Sequence, residues 1–292
     1  MATGSNLRWY LKIPLKVILA RIPMSHKTRN KLGMFKHGYM QDYSYALKVF
    51  MGHLTKAGLL DKEKNIGKVA MELGPGESLF SALLAKSYGF QHSLLIDVDD
   101  FTLPNINVYK DFAHWLSNEG LPCPDLDLCD SVDSMLSALD SQYLTHGLNS
   151  LINLPSESVD FVFSQAVLEH VRKHAFGDTF KELYRILKPG GVSTHVVDFK
   201  DHLDYSLINL RFSDRMWEAN WFAPSSGFYT NRIRLGEMVR RIEEQGFKVE
   251  VLDRTEWKTL PMPKNKLDKQ FNTMSDEELK VSGATLRLIK PA

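Results

Sequence analysis

Short apolar runs alternate with helical patterns from Ile66 to the end of the chain. This alternation is typical of an α/β protein, in which helices cover both faces of a mostly parallel sheet. With 292 residues, of which 43% are hydrophobic, the chain is long enough to bury such a core. The pattern predicts strands at Ile66–Leu73, His92–Val98, Gln142–His146, Val159–Phe163, Val192–Val197, Lys248–Leu252 and Ala284–Ile289.

Between these strands the apolar residues recur at helical spacing. The predicted helices are Leu79–Ser87, Asn105–Asn118, Val132–Leu139, one that begins near Ala166, and Phe180–Leu187. The last of them ends at Lys188-Pro-Gly-Gly191, because proline stops a helix and the glycines permit a sharp turn into the next strand.

The first strand ends in an acid and is followed by a Gly-x-Gly turn, in the segment Glu72-Leu-Gly-Pro-Gly-Glu-Ser78. Gly74 and Gly76 have no side chain, so the backbone can approach a ligand closely. Asp97 ends the next strand, where an acid accepts hydrogen bonds from the ribose hydroxyls of an adenosine. The dinucleotide fingerprint Gly-x-Gly-x-x-Gly begins in the same way, but Leu79 stands at its third glycine, which disfavours an NAD site.

Five segments in succession resemble the motifs of class I S-adenosylmethionine (SAM)-dependent methyltransferases of the type 11-like group, in order and in spacing. They are Glu72–Ser78, Leu95-Ile-Asp97, Leu154–Ser164, Val167-Leu-Glu-His170 and Leu187-Lys-Pro-Gly-Gly191. The resemblance covers about residues 66–198. It implies a Rossmann-like sheet of seven strands, mostly parallel with an antiparallel last strand, and SAM as the cofactor.

The same resemblance implies roles for single residues. Glu72 would orient the amino group of the methionine part of SAM, Gly74 and Gly76 would allow close backbone approach, and Asp97 would bind the ribose. Ser164 and Gln165 would border the methyl group. Asn149 stands near the place where the family often has an acid for the adenine amine, and it is the predicted substitute.

Residues that bind the acceptor are expected after the fourth and fifth strands, because ligands of open α/β sheets lie beyond the carboxyl ends of the strands. The fifth strand leads into His195, Asp198, Asp201 and His202. A His–carboxylate pair there can take a proton from an acceptor hydroxyl. We predict His202 and Asp198 as the better candidates for this base, because alternation along the strand points His195 to the opposite face from Asp198. Metal ligation and a purely structural loop are the alternatives; the spacing follows no zinc pattern, so no metal is predicted.

An insert at about residues 203–235 is predicted to form a lid. It is rich in aromatic residues and ends in Asn231-Arg-Ile-Arg234. The aromatic side chains suit a sugar ring and the arginines a phosphate or carboxylate. The alternative is that the aromatics form the lid's own small core and the arginines pair with Glu237 and neighbouring acids. The run from His195 to Phe247 also resembles methyltransferases associated with bacterial surface-polysaccharide synthesis, which implies a glycan or sugar-derived acceptor.

Residues 1–60 are predicted to form a basic helical cap, and residues 61–292 the methyltransferase domain. Residues 1–41 carry eight Lys or Arg and no acid, and Arg8, Lys12 and Lys16 recur on one helical face. Such a helix either covers the active site or makes peripheral contact with the inner face of a membrane. No run is long enough to span a bilayer, no RNA-binding module accompanies the basic residues, and the two cysteines suit reduced thiols in the cytoplasm.

The function predicted from the sequence is SAM-dependent O-methylation of a sugar or another small polar acceptor, with no nucleic-acid partner. One alternative is N- or C-methylation of a lipid head group or secondary metabolite. Another is a non-catalytic module that binds SAM and regulates partner enzymes.

Overall fold

The computed structural model describes Tyr10, Leu11, Ile13 and Pro14, and residues 41–223 and 228–292. The expected basic helical face with Arg8, Lys12 and Lys16 lies outside the described residues. Most of the predicted cap and residues 224–227 of the predicted lid also lie outside them.

Seven strands form one sheet in the order β3-β2-β1-β4-β5-β7-β6. Strands β1 to β5 pair in parallel, and β7 is antiparallel to both β5 and β6. The predicted seven-stranded, mostly parallel sheet with an antiparallel last strand is therefore confirmed. The strands are β1 Val69–Leu73, β2 His92–Ile96, β3 Ser141–Leu144, β4 Val159–Gln165, β5 Leu187–Asp198, β6 Lys248–Glu256 and β7 Val281–Ile289.

Helices cover both faces of this sheet. They are α1 Tyr43–Ala57, α2 Phe80–Ser87, α3 Ile106–Asn118, α4 Val132–Ala138, α5 Leu148–Ile152, α6 Phe176–Ile186, α7 Asp214–Trp217, α8 Leu235–Glu243 and α9 Asp276–Lys280. Helices α1 to α4 contribute to one apolar core and α5, α6 and α8 to the other. In the described part of the chain, no helix is both long and apolar enough to cross a membrane.

Several predicted boundaries differ from the structure; strand β5, for example, begins at Leu187 rather than Val192. Strand β1 begins at Val69 rather than Ile66, because Ile66 is exposed and Gly67 has a positive φ of 76°. No helix begins near Ala166: β4 extends to Gln165, Ala166 takes a left-handed φ of 54°, and turns lead to α6 at Phe176. An alanine in this conformation interrupts helical geometry, which the apolar spacing alone does not reveal.

Backbone hydrogen bonds join the carboxyl ends of neighbouring strands. The Gly74 N–H donates to the Ile96 carbonyl at 2.8 Å, and the Asp97 N–H to the Leu144 carbonyl at 2.9 Å. Beyond β3, the Gly147 N–H donates to the Asp97 carbonyl at 2.8 Å. The loops after β1, β2 and β3 therefore form a single edge, on which the predicted cofactor residues lie.

Candidate cofactor and acceptor site

The turn after β1 requires glycine at two positions. Gly74 and Gly76 have φ angles of 68° and 66°, in the left-handed region that favours glycine. A Cβ atom on Gly74 would lie 2.6 Å from Cγ2 of Val167, so this glycine also gives room to the loop after β4. The Val167-Leu-Glu-His170 segment consequently passes directly over the turn.

Glu72 places a carboxylate at the end of β1. Its side chain is only 3% exposed, and Oε2 has no hydrogen-bond partner among the described residues. Burial raises the pKa of Glu72 to about 8; the Ser81 hydroxyl acts in the opposite direction and the charge of Asp97 adds to the increase. A buried carboxylate with an unsatisfied oxygen is suited to a cationic or hydrogen-bond-donating ligand group, such as the amino group of SAM.

Asp97 links the first two loops of the edge. Its Oδ2 accepts from the Gly76 N–H at 3.0 Å and its Oδ1 from the Val98 N–H at 2.7 Å. The carboxylate therefore stabilises the turns at the edge of the sheet where the ribose is expected. Asn149 is exposed on α5, two residues after Gly147, whose N–H binds the Asp97 carbonyl.

The end of β4 points its two predicted residues in different directions. The Ser164 hydroxyl is buried and lies 2.7 Å from Nδ1 of His195, so only its backbone reaches the edge. Gln165 is half-buried, and its Oε1 lies 3.2 Å from Nε2 of His53, a buried residue of α1. The sequence did not identify His53, because only the packing of α1 on β5 brings it to within 2.9 Å of Thr194.

His195 lies inside the protein, away from the acceptor edge. Its Nε2 is 2.5 Å from the Ser193 hydroxyl, so both ring nitrogens are engaged by serines. Burial lowers the pKa of His195 to about 3, and the ring stays neutral at physiological pH. The structure therefore separates His195 from the other residues predicted around the acceptor.

The other residues predicted to bind the acceptor after β5 differ in the contacts that their side chains make. Asp201 is buried, and its carboxylate accepts from four backbone N–H groups, of Leu203, Asp204, Ser206 and Ile208, which shapes the loop. Asp198 ends β5, accepts from the Lys200 N–H at 2.9 Å and pairs with the Lys200 ammonium at 3.4 Å. His202 is half-buried, and its ring stands 4.9 Å from that of His170.

Glu169 and His170 join His202 in a cluster that spacing did not predict. One ligand atom of each residue lies within 4.8 Å of those of the other two. Glu169 is 3% exposed, and burial raises its pKa to about 8. The sequence places Glu169 and His170 in the Val167–His170 motif, but it does not show that the loop after β5 returns to them.

The lid aromatics pack against one another. Trp217, Phe222 and Phe228 are fully buried in a cluster of their own, against which Ile13 also packs. The side chains of Arg232 and Arg234 are likewise buried, and their terminal nitrogens are bonded within the protein. Arg232 binds Asp214 and nearby carbonyls, and Arg234 binds the carbonyl of Phe199, just after β5, and carbonyls of α9 and β7. Only the Nε atom of each arginine has no partner among the described residues. The alternative of a small core belonging to the lid is therefore the correct one for these aromatics, and the two arginines are not directed at a ligand.

Comparison with known proteins identifies a family only for the central part of the chain. Residues 71–194, less than half of the chain, match the family model described as a methyltransferase domain. No curated protein sequence matches the chain.

Several solved structures are similar at low identity. Phosphoethanolamine N-methyltransferase 2 from Haemonchus contortus, in complex with phosphomonomethylethanolamine and S-adenosylhomocysteine, is 14% identical; the match covers 84% of this chain and 53% of that one, with a TM-score of 0.46. This chain thus spans about half the length of that enzyme. The YcgJ protein from Bacillus subtilis is 15% identical, with 82% and 100% covered and a TM-score of 0.43. A SAM-dependent methyltransferase from Mesorhizobium loti is 14% identical, with 84% and 95% covered and a TM-score of 0.43.

The strand order, the glycine turn after β1 and the family match over residues 71–194 together define the class of the protein. It has a Rossmann-like fold, and its central residues 71–194 match a methyltransferase domain.

Proposed function

We propose that the protein transfers the methyl group of SAM to a hydroxyl of a sugar or another small polar acceptor. The observation that supports this best is the polar cluster of Glu169, His170 and His202 at the carboxyl ends of β4 and β5. Because the loop with Glu169 and His170 passes over the Gly74 turn, an acceptor at this cluster would lie next to the cofactor.

The cofactor would be held by residues along the edge of the sheet. Glu72 binds the amino group and Asp97 the ribose hydroxyls, while Asn149 serves the adenine amine. Gly74 and Gly76 allow the close approach of the ligand. Gln165, held by His53 at 3.2 Å, borders the methyl group.

Proton removal is the main chemical task of the protein. SAM supplies the methyl group on a positively charged sulfonium, which is a good leaving group. An alcohol must lose its proton as it attacks, whereas a neutral amine needs no such help before attack. His202 and Asp198 supply the basic groups for this step, and both come from the end of β5 or the loop after it. His195 is not included, because its ring is enclosed in the core.

The test is transfer of label from radiolabelled SAM to a panel of free sugars, sugar phosphates and nucleotide sugars, with phosphoethanolamine and other amines as rivals. Mass spectrometry and NMR of the product then identify the methylated atom. We expect an O-methyl product. Label found on nitrogen or carbon alone would refute the proposal, and calorimetric SAM binding without transfer to any acceptor would favour a regulatory module.

Variants distinguish residues that accept the proton, which affect kcat, from residues that bind the cofactor, which affect the Kd for SAM. His202→Ala and Asp198→Ala should each lower kcat by about 100-fold, the lower range for loss of a general base, with little change in the Kd for SAM. Asp204→Asn, which alters an exposed acid of the same loop, should retain the wild-type rate. Unchanged kcat in both alanine variants would remove His202 and Asp198 from the mechanism.

A further inference from the structure

Three potential metal ligands meet where the loops after β4 and β5 converge. Glu169 and His170 belong to the first loop and His202 to the second, and their ligand atoms lie within 4.8 Å of one another. Within the part of the chain that the structure describes, no other group of three His, Cys, Asp or Glu side chains meets this condition. The fold therefore assembles the cluster from separate segments.

Glu169 supplies the strongest indication of a ligand. Its side chain is 3% exposed, and neither carboxylate oxygen makes a hydrogen bond of normal geometry with a described residue. The backbone N–H groups of Glu169 and Asp198 and the charge of Lys200 offset part of the burial, whereas the charge of Asp198 opposes ionisation. An unpaired buried carboxylate is costly, and a cation beside it removes that cost.

His170 is oriented as a metal-binding histidine usually is. Its Nδ1 lies 2.9 Å from the Tyr229 carbonyl. A carbonyl only accepts, so Nδ1 carries the proton in the neutral ring and the lone pair is on Nε2. Ligating histidines characteristically donate their other ring N–H to such a group, which fixes the tautomer and the ring.

The loop that carries Glu169 and His170 is held in place by one buried residue, Asn231. Nδ2 of Asn231 donates to the Leu168 and Val171 carbonyls at 2.7 and 2.9 Å, and the Asn231 N–H donates to the Glu169 carbonyl at 2.7 Å. Asn231 is 1% exposed. His170 is exposed and His202 half-buried, so the cluster is held firmly on one side and is open to solvent on the other.

We propose that Glu169, His170 and His202 bind a divalent transition-metal cation such as Zn²⁺, Mn²⁺ or Co²⁺. Two imidazoles and one carboxylate form a donor set that such ions prefer, and three protein ligands leave a coordination position open. Metal bonds of about 2.0–2.2 Å require the ligand atoms to close in somewhat, and the half-buried His202 is the side chain that can rotate to do so. The sequence had indicated no metal, because the ligands come from two loops with no characteristic spacing.

The role of the cation in catalysis rests on the proposed function. The acceptor hydroxyl would take the open position, where its pKa falls, since a bound cation favours the alkoxide. The O–H proton would pass to the carboxylate of Asp198 as the oxygen bonds to the methyl carbon. The S–CH₃ bond would break with its electron pair left on sulfur, which releases S-adenosylhomocysteine. His202 would then act on the hydroxyl through the cation.

Metal binding is tested with cobalt chloride on the full chain, with any affinity tag removed and the protein first dialysed against a chelator. We expect uptake of one Co²⁺ per chain, with visible absorption bands from the coordinated ion. Glu169→Gln and His202→Ala should each weaken the Kd for Co²⁺ at least 10-fold. His174→Ala, which removes an exposed histidine from the same loop, should bind as the wild type does.

Two outcomes would overturn the proposal: no Co²⁺ uptake by the wild type, or equal affinity in the wild type and in both cluster variants. Melting curves with and without Co²⁺ check the fold, and only the wild type and His174→Ala should gain stability. Should Glu169→Gln fail to fold, His202→Ala decides the question, because its side chain is only half-buried.

The failure of the metal site and the failure of the proposed function are distinguishable, because Co²⁺ binding is measured without SAM or acceptor. Cluster-dependent Co²⁺ binding without methyl transfer would refute only the function. Full methyl transfer by chelated protein, with Co²⁺ affinity unaffected by the variants, would refute only the metal site. If both proposals hold, transfer falls at least 10-fold on chelation and recovers when the metal is restored.

Discussion

Two buried glutamates at the carboxyl edge of the sheet have incompletely hydrogen-bonded carboxylates and raised pKa values. Glu72 and Glu169 each have at least one carboxylate oxygen without a hydrogen-bond partner among the described residues, and burial raises the pKa of both to about 8. Buried carboxylates that serve only the fold are normally paired. Our proposals supply a partner for each of them, the amino group of SAM for Glu72 and a cation for Glu169.

Glu72 makes the stability of the ligand-free protein depend on pH. Its pKa is about 8 in the folded chain against 4.5 ordinarily, so between these values the unfolded chain has lost a proton that the folded chain retains. By linkage, stability falls as pH rises through this window. Glu72→Gln removes that loss. The variant should be more stable than the wild type at pH 8 and above, by a few kcal/mol at about 1.4 kcal/mol per unit of pKa, and the gap should close towards about pH 5.

Urea unfolding without SAM, measured at several pH values, gives the gap directly. Glu63→Gln makes the same chemical change at an exposed position and controls for the loss of one charge. A gap between Glu72→Gln and the wild type that stays constant with pH would mean that Glu72 is already ionised in the folded protein.

At the scale of single residues, sequence patterns identified the edge of the sheet better than the direction of each side chain. Gly74 and Asp97 follow strands whose ends the pattern shows, so their position was predictable. His195 and Ser164 are separated by 31 residues, and their mutual contact of 2.7 Å depends on the register of β4 against β5. Local spacing carries no information about that register.

Among the elements, the segment from Tyr229 to Arg234 connects the acceptor side to the rest of the protein. Asn231 holds the loop after β4, and Arg234 is fully buried and donates to the carbonyls of Phe199, Glu278, Leu279 and Val281. The segment thereby joins the end of β5 to the start of β7. Sequence patterns predicted a lid here and left open whether its arginines bind a ligand or serve the fold, because they do not show which carbonyls the fold brings to a guanidinium.

Arg234→Met should consequently destabilise the protein. The methionine fills much of the volume but leaves several buried carbonyls without a donor, at about 1–3 kcal/mol for each group not satisfied otherwise. We expect a loss of at least about 3 kcal/mol in urea unfolding. Arg240→Met is the matched control on α8, since Arg240 is exposed and, among the described residues, forms an ion pair with Glu244; the change should alter stability by less than about 0.5 kcal/mol. Equal effects of the two changes would contradict a structural role for Arg234.

At the scale of the whole molecule, strand order determines where a ligand can bind. The order β3-β2-β1-β4-β5 places β1 beside both β2 and β4, so the chain crosses in opposite directions from β1 and leaves a crevice at its carboxyl end. Alternating strand and helix patterns predicted a mostly parallel sheet, since each strand is a local signal, but they did not predict the order of the strands. They also did not predict that β6 extends to Glu256 or that β7 begins at Val281. The antiparallel pairing of these two strands extends both of them beyond their apolar centres.

Protection from amide hydrogen exchange tests this location over the entire chain. Addition of S-adenosylhomocysteine should slow exchange in the turn after β1, at Asp97 and Val98, and in the loop after β4, because these segments meet at the crevice. At 100 times its Kd, the ligand should stabilise the folded state by about 2.7 kcal/mol and so also slow exchange that requires global unfolding. Locally opening amides in β6, at the far edge of the sheet, should show no change. Protection confined to β6 and β7, with none at Gly74–Gly76, would place the cofactor elsewhere and would overturn the assignment of Glu72 and Asp97 together.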